Sequence, residues 1–145
     1  MITDPAMPSW LPFLSVFGAF FVVFPLFWCG VVWLISRIAG WNRLAARFAA
    51  GQRTVDGQRF DSVTGRVGVA SYRNVLRLHI NPEGFFMEVR PLFRCGHPRL
   101  FIPWVEITER RNVNWLFWKA EALVIGNPRV GTITLPASLL DGLPR

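Results

Sequence analysis

The sequence predicts an α+β protein: an N-terminal transmembrane helix and an amphipathic juxtamembrane helix, then a small antiparallel β-rich domain closed by a short C-terminal helix. The domain reads as a sandwich or a partly open barrel. Three observations predict this. Residues 10–36 are apolar almost without interruption. Residues 38–48 repeat apolar side chains at three- and four-residue steps. From residue 66 onward, short runs alternate apolar and polar residues between turn signals.

Residues 10–36 (WLPFLSVFGAFFVVFPLFWCGVVWLIS) contain no Lys, Arg, Asp or Glu, and the first charge after them is Arg37. A helix rising about 1.5 Å per residue needs about 20 apolar residues to cross about 30 Å of hydrocarbon, so this run crosses once and is too short to cross twice. A cleaved signal peptide would begin with a basic region, whereas residues 1–9, a short outer segment, carry no Lys or Arg. A core helix would show a polar stripe, and Phe13, Phe17, Phe20, Phe21, Phe24 and Phe27 leave no room for one. Pro25 removes one backbone donor and bends the helix, as membrane helices tolerate. Ser15 and Ala19 form a small-xxx-small pair of the kind that lets a second helix approach.

Charge sets the expected orientation. Arg37, Arg43, Arg47 and Arg53 follow the span and no basic residue precedes it, which predicts an outer N-terminus and a cytoplasmic domain at the inner (plasma) membrane. Trp10 at one end and Trp33 and Trp41 at the other occupy aromatic-belt positions. The formal charge is +7, with Lys119 the only lysine, so a domain held at an anionic inner leaflet is attracted to it. Cys29 lies in the span and Cys95 in the domain, a separation that predicts no disulfide framework and fits a reducing compartment.

Residues 37–51 continue in helical rhythm. Ile38, Trp41, Leu44, Ala45 and Phe48 share one face, and Arg43 and Arg47 lie four apart on another. The preferred reading is a helix in the headgroup region, with Arg37, Trp41, Arg43 and Arg47 as its lipid interface. The alternative packs its apolar face on the following domain. Residues 52–65 are polar, carry Gly57 and Gly65 and show no period, so they read as a linker or an irregular first strand.

The β-rich domain is expected over residues 66–145. Residues 75–80 (VLRLHI) put Leu76, Leu78 and Ile80 on one face; the turn NPEG follows, and residues 85–90 resume the alternation with Phe85, Met87 and Val89 inward. Residues 100–108 (LFIPWVEIT) read as a strand in which Pro103 marks a bulge or an edge. Residues 115–125 form a longer apolar run, GNPR turns, and residues 130–135 give another strand. Pro136 opens a short helix over residues 137–143, whose Leu139, Leu140 and Leu143 would cover one open face.

This strand order, with its Ile-Pro-Trp-x-Glu-Ile segment and terminal helix, resembles the bacterial pleckstrin-homology-like domains. More closely, GWNRLAARF at residues 40–48 and FRCGHPRLFIPWVEI at residues 93–107 look like a group of uncharacterised bacterial single-span membrane proteins that place such a domain after one span. The resemblance implies a binding or scaffolding module and carries no catalytic residue.

The function classes narrow accordingly. Cys95, His97 and His79 are the soft or imidazole groups outside the span, fewer than a typical zinc site with its CxxC or HxxxH spacing, and no catalytic, metal or cofactor residue is assigned. Asp56 and Asp61 stand in a polar segment with nothing to desolvate them. The aromatic residues that a nucleic-acid platform would need, Phe86, Trp104, Trp115 and Trp118, are required to fill so small a core, so no nucleic acid is expected. The expected function is a non-enzymatic, membrane-anchored interaction domain binding a protein partner and anionic lipid headgroups of the inner leaflet. Its partner site is placed at Arg94, His97, Pro98, Pro103, Trp104 and Glu106, on a loop and strand edge. The alternative is a small accessory subunit of a larger membrane complex, acting through its span.

Overall fold

The computed structural model describes residues 5–115, 117–141 and 143. Helix α1 (Leu11–Ala39) begins with Pro12 in its first turn, carries Pro25 inside and stops at Gly40, whose φ of 86° is open to glycine at low cost. It is long and apolar enough to span a membrane, and every residue from Leu11 through Phe27 is exposed. The final third differs. Val32, Ser36 and Ala39, at helical spacing, are buried against the domain, and Trp28 donates its indole N–H to the Leu92 carbonyl at 3.0 Å. Ser36 donates its hydroxyl to the Gly96 carbonyl.

Helix α2 (Trp41–Phe48) turns off at Gly40. Of the two readings open for this segment, the structure shows the packed one: Trp41, Leu44 and Phe48 are buried in the domain core. Trp41, which the sequence places in the lipid interface, is instead fully enclosed, because the domain closes over the helix directly. Its indole donates to the Pro98 carbonyl at 3.0 Å.

Seven antiparallel strands form one curled half-barrel: β1 (Gln58–Val67), β2 (Ala70–Ile80), β3 (Gly84–Val89), β4 (Leu100–Pro103), β5 (Ile107–Trp115), β6 (Trp118–Ile125) and β7 (Gly131–Pro136). Their spatial order is β4-β3-β2-β1-β7-β6-β5. Helix α3 (Ala137–Leu140) follows β7 and seats Leu140 in the core. The alternation expected for β2 and β3 holds: Leu76, Leu78, Ile80, Phe85, Met87 and Val89 join Leu100, Ile102, Leu123, Ile125, Ile133 and Leu135 in the concave core.

Two expectations change. Of the linker and the irregular first strand open for residues 52–65, the structure shows the strand, since they contain most of β1, so the domain begins earlier than residue 66; the odd residues of a bulged strand hide its period. The strand expected over residues 100–108 is two strands separated by a single 3₁₀ turn at Trp104–Glu106, because Pro103 ends the pairing of β4.

Three contacts fix how the sheet runs beside α1. Gly68, in the β1–β2 turn, abuts the Ala39 carbonyl so closely that any side chain there would overlap it; Gly96 lies against Trp33; and Leu92 and Phe93 lie against Trp28. Domain and helix thus run side by side over about 16 Å, by the helix rise of about 1.5 Å per residue.

Candidate functional site

The loop and edge that the sequence offered to a partner are largely occupied within the chain. His97 is 2 % exposed, wedged between the rings of Trp41 and Tyr72. Its Nδ1 lies 2.9 Å from the Cys95 carbonyl, which only accepts, so Nδ1 carries the proton and Nε2 accepts from the Tyr72 hydroxyl at 2.9 Å. Burial pushes the imidazole below its ordinary range and the Tyr72 phenol above its own, so both are neutral at pH 7. Pro98 gives its carbonyl to Trp41; Trp104 donates its indole to the Asn81 carbonyl at 2.9 Å; Glu106 pairs with Arg47 at 3.6 Å; and Arg94 reaches Glu88 at 3.8 Å. Pro103 opposes Gly84 in the β3–β4 ladder. The outer side of β4 is also engaged, through an Ala49–Leu100 bridge and a 2.8 Å bond from the Ala50 N–H to the Arg99 carbonyl.

The two cysteines meet as well. Cys29 of α1 and Cys95 of the loop form a disulfide with their Cα atoms 5.4 Å apart, against the expectation that span and domain keep them separate. Sixty-six residues of sequence hid this, because the loop folds back onto the last turns of the helix. Cysteine usage therefore no longer argues for a reducing compartment.

Of the residues assigned to lipid, Arg37 is exposed and stacks its guanidinium 4.5 Å over Trp33. Arg43 and Arg47 are exposed on α2.

A second charged group sits on the convex face. Glu88, 5 % exposed, is bonded by Arg99 at 2.7 Å and Arg77 at 3.3 Å, and Arg77 continues to Asp61 at 2.6 Å. Burial pushes the Glu88 carboxyl up, but Arg99 and then Arg77 outweigh it and hold it below the usual carboxylate range. Arg59 and then Arg77 hold Asp61 low in the same way. His79, on the same face, is pushed down by burial, and its Nδ1 has no hydrogen-bond partner among the described residues.

A concavity lies elsewhere. Strand β1 pairs with β7 only through Arg66 opposite Thr134 and Val67 opposite Ile133, because irregularities on either side of Val63 bend it away. Ser62 and Asn74 adopt φ of 56° and 55° at this bend, and the Thr64 hydroxyl bonds Asn74. The parting opens a cleft of about 770 Å³ between β1–β2 and the β6–β7–α3 corner. Phe60, Val63, Trp115, Trp118, Ala120 and Leu139 give it apolar walls; Arg73, Ser62, Asn74, Ser138 and the Arg59–Asp61 ion pair give it a polar rim. Arg73 makes no ion pair among the described residues. The size and the mixture of apolar wall with a few polar groups suit a small amphiphile.

The sequence marks no site at these cleft residues and assigns Trp115 and Trp118 to the core, whereas both line the cleft and Trp118 is exposed. The available signal was the run Asn114-Trp115…Phe117-Trp118-Lys119, in which aromatic residues crowd a tight hairpin where turn chemistry favours Gly, Asn or Asp. Comparison with protein-family models, with curated proteins and with solved structures finds no match to this chain.

Proposed function

We propose that the chain is a non-catalytic, membrane-anchored binding module whose cleft takes an anionic amphiphile, such as a fatty acid or lysophospholipid. The cleft carries this reading: it joins apolar walls to Arg73, which makes no ion pair among the described residues, so an acyl chain is removed from water while its head meets a cation. The one carboxylate among its described lining residues, Asp61, is held ionised by Arg59 and Arg77 and is thus a poor proton donor at neutral pH. Seven antiparallel strands and a closing helix support the kinship with pleckstrin-homology-like domains.

The domain is proposed to face the cytoplasm, on the strength of the arginines that follow the span. The Cys29–Cys95 bond argues for the opposite side, since such bonds persist in oxidising compartments, and a protease-accessible tag after residue 145 decides between them.

A diazirine-bearing fatty acid incorporated into vesicles with the full-length protein tests the ligand reading. Peptides spanning residues 59–64 and 115–120 should carry the photolabel, and Ser138→Trp, which fills the cleft mouth, should remove most of it. Label confined to α1 in the unaltered chain would overturn the proposal. A second reading is favoured by the outer edge of β5, which pairs with no strand among the described residues: an extended segment of a protein partner adds there. Crosslinking from Asn112 to a partner that also protects β5 amides from exchange would support it.

A further inference from the structure

The contacts along α1 give the half-barrel a direction. Gly68 sits at Ala39, whereas Leu92 sits at Trp28; Arg90, two residues before Leu92, bonds the Ser62 hydroxyl and donates its N–H to the Val75 carbonyl. Passing along β1 from residue 68 to residue 62 therefore passes along α1 from residue 39 to residue 28, toward its bare half. The strand step covers about 20 Å and the helix step about 16 Å, so the two advance by similar lengths. Strand β7 continues the same course, with Thr134 opposite Arg66, and Pro136 lies further on opposite Ala120 of β6. The Trp115–Trp118 pair lies two residues beyond Ala120. The β5–β6 hairpin thus projects from the sheet end at which the bare half of α1 emerges, near the level of Leu92.

Exposed apolar side chains mark that end. Phe117 is 99 % exposed, Trp118 68 % and Leu92 67 %. Twenty apolar residues counted from Leu11 end at Gly30, which sets the hydrocarbon boundary beside Trp28 and Leu92. Exposed Lys119 and Arg94 flank the two apolar tips, the arrangement that suits an interfacial anchor on an anionic surface.

We infer that the β5–β6 hairpin is a second membrane contact: Phe117 and Trp118 seat in the headgroup–acyl boundary of the leaflet at which α1 emerges, beside Leu92. The inference rests on α1 being a span, and it deepens the ligand reading. Trp115 and Trp118 also line the cleft, so a seated hairpin presents the cleft to the bilayer and makes membrane lipid its source. Free aqueous ligand would need no such contact.

The test places an environment-sensitive fluorescent amino acid at position 117, 16 or 129 of the full-length protein in vesicles whose lipids carry nitroxide quenchers at shallow or deep acyl positions. Position 16 lies in the bare half of α1, and Arg129 lies in the exposed β6–β7 turn at the opposite end of the sheet. The inference predicts shallow-lipid quenching at 117 at least threefold stronger than at 129, with position 16 quenched by the deep lipids. Quenching at 117 no stronger than at 129, with position 16 still quenched, would overturn the hairpin contact and leave the span standing. Absence of quenching at position 16 would overturn the span and the inference together.

Discussion

Replacing Leu44 by Ala tests whether α2 is part of the core or a helix on the lipid surface. Leu44 is fully buried, and its terminal carbons face Gly131, which has no side chain to move into a vacancy. The substitution removes three carbon groups, about 2.4 kcal/mol at about 0.8 kcal/mol each. A cavity that the neighbours cannot refill adds about 1 kcal/mol, for a total near 3 kcal/mol. For a domain of this size that corresponds to a fall in Tm of about 15 °C, read by intrinsic tryptophan fluorescence of the full-length protein in mild detergent. Arg43→Ala should change Tm by less than about 3 °C because Arg43 is exposed. Arg47→Ala should do little more, since its 3.6 Å ion pair with Glu106 joins two solvent-screened side chains. The reasoning fails if Leu44→Ala leaves Tm unchanged and instead weakens association with anionic vesicles.

Three further outcomes are expected. Gly68→Ala should lower stability by more than about 2 kcal/mol, because φ is 55° there and the added methyl overlaps the Ala39 carbonyl; urea unfolding measures it. Because burial lowers the folded-state pKa of His97, and of His79 likewise, the unfolded chain binds more protons on acidification. Stability should therefore be full above about pH 6.5 and fall as pH drops below it, with a slope that Tm scans show to be reduced in His97→Gln. Glu88→Ala leaves Arg77 and Arg99 facing one another without their shared carboxylate, and since both guanidiniums are partly solvated the cost should be about 2 kcal/mol by the same unfolding assay.

What the sequence showed and what it hid divide along a physical line. Period-two alternation in Leu76, Leu78 and Ile80 and the 3.6-residue rhythm of Trp41, Leu44 and Phe48 are local patterns, and the elements they predict are present. The destination of a face is not local. The apolar side of α2 suits lipid or core equally well, and only the closing of the half-barrel over Trp41 decides it. The pairing of Cys29 with Cys95 and the burial of His97 depend on a loop returning to a helix more than sixty residues earlier, which leaves no periodic trace. The cleft depends on a bend at Ser62 and Asn74, neither of which is the glycine that would mark a positive φ. At the expected partner loop, Pro98, Trp104 and Glu106 are each engaged by a side chain or carbonyl remote in sequence, which no local pattern records.

Everything proposed about the membrane end depends on the last third of α1 being clamped to the domain. The most direct measurement introduces a protease site between Gln52 and Arg53, on the exposed stretch after α2, and oxidises isolated membranes with copper–phenanthroline before cleavage. If Cys29 lies against Cys95, the two fragments will remain joined on a non-reducing gel and separate when reductant is added. Fragments that separate without reductant, in a protein still embedded in the membrane, would contradict the docked helix and the direction it gives to the sheet.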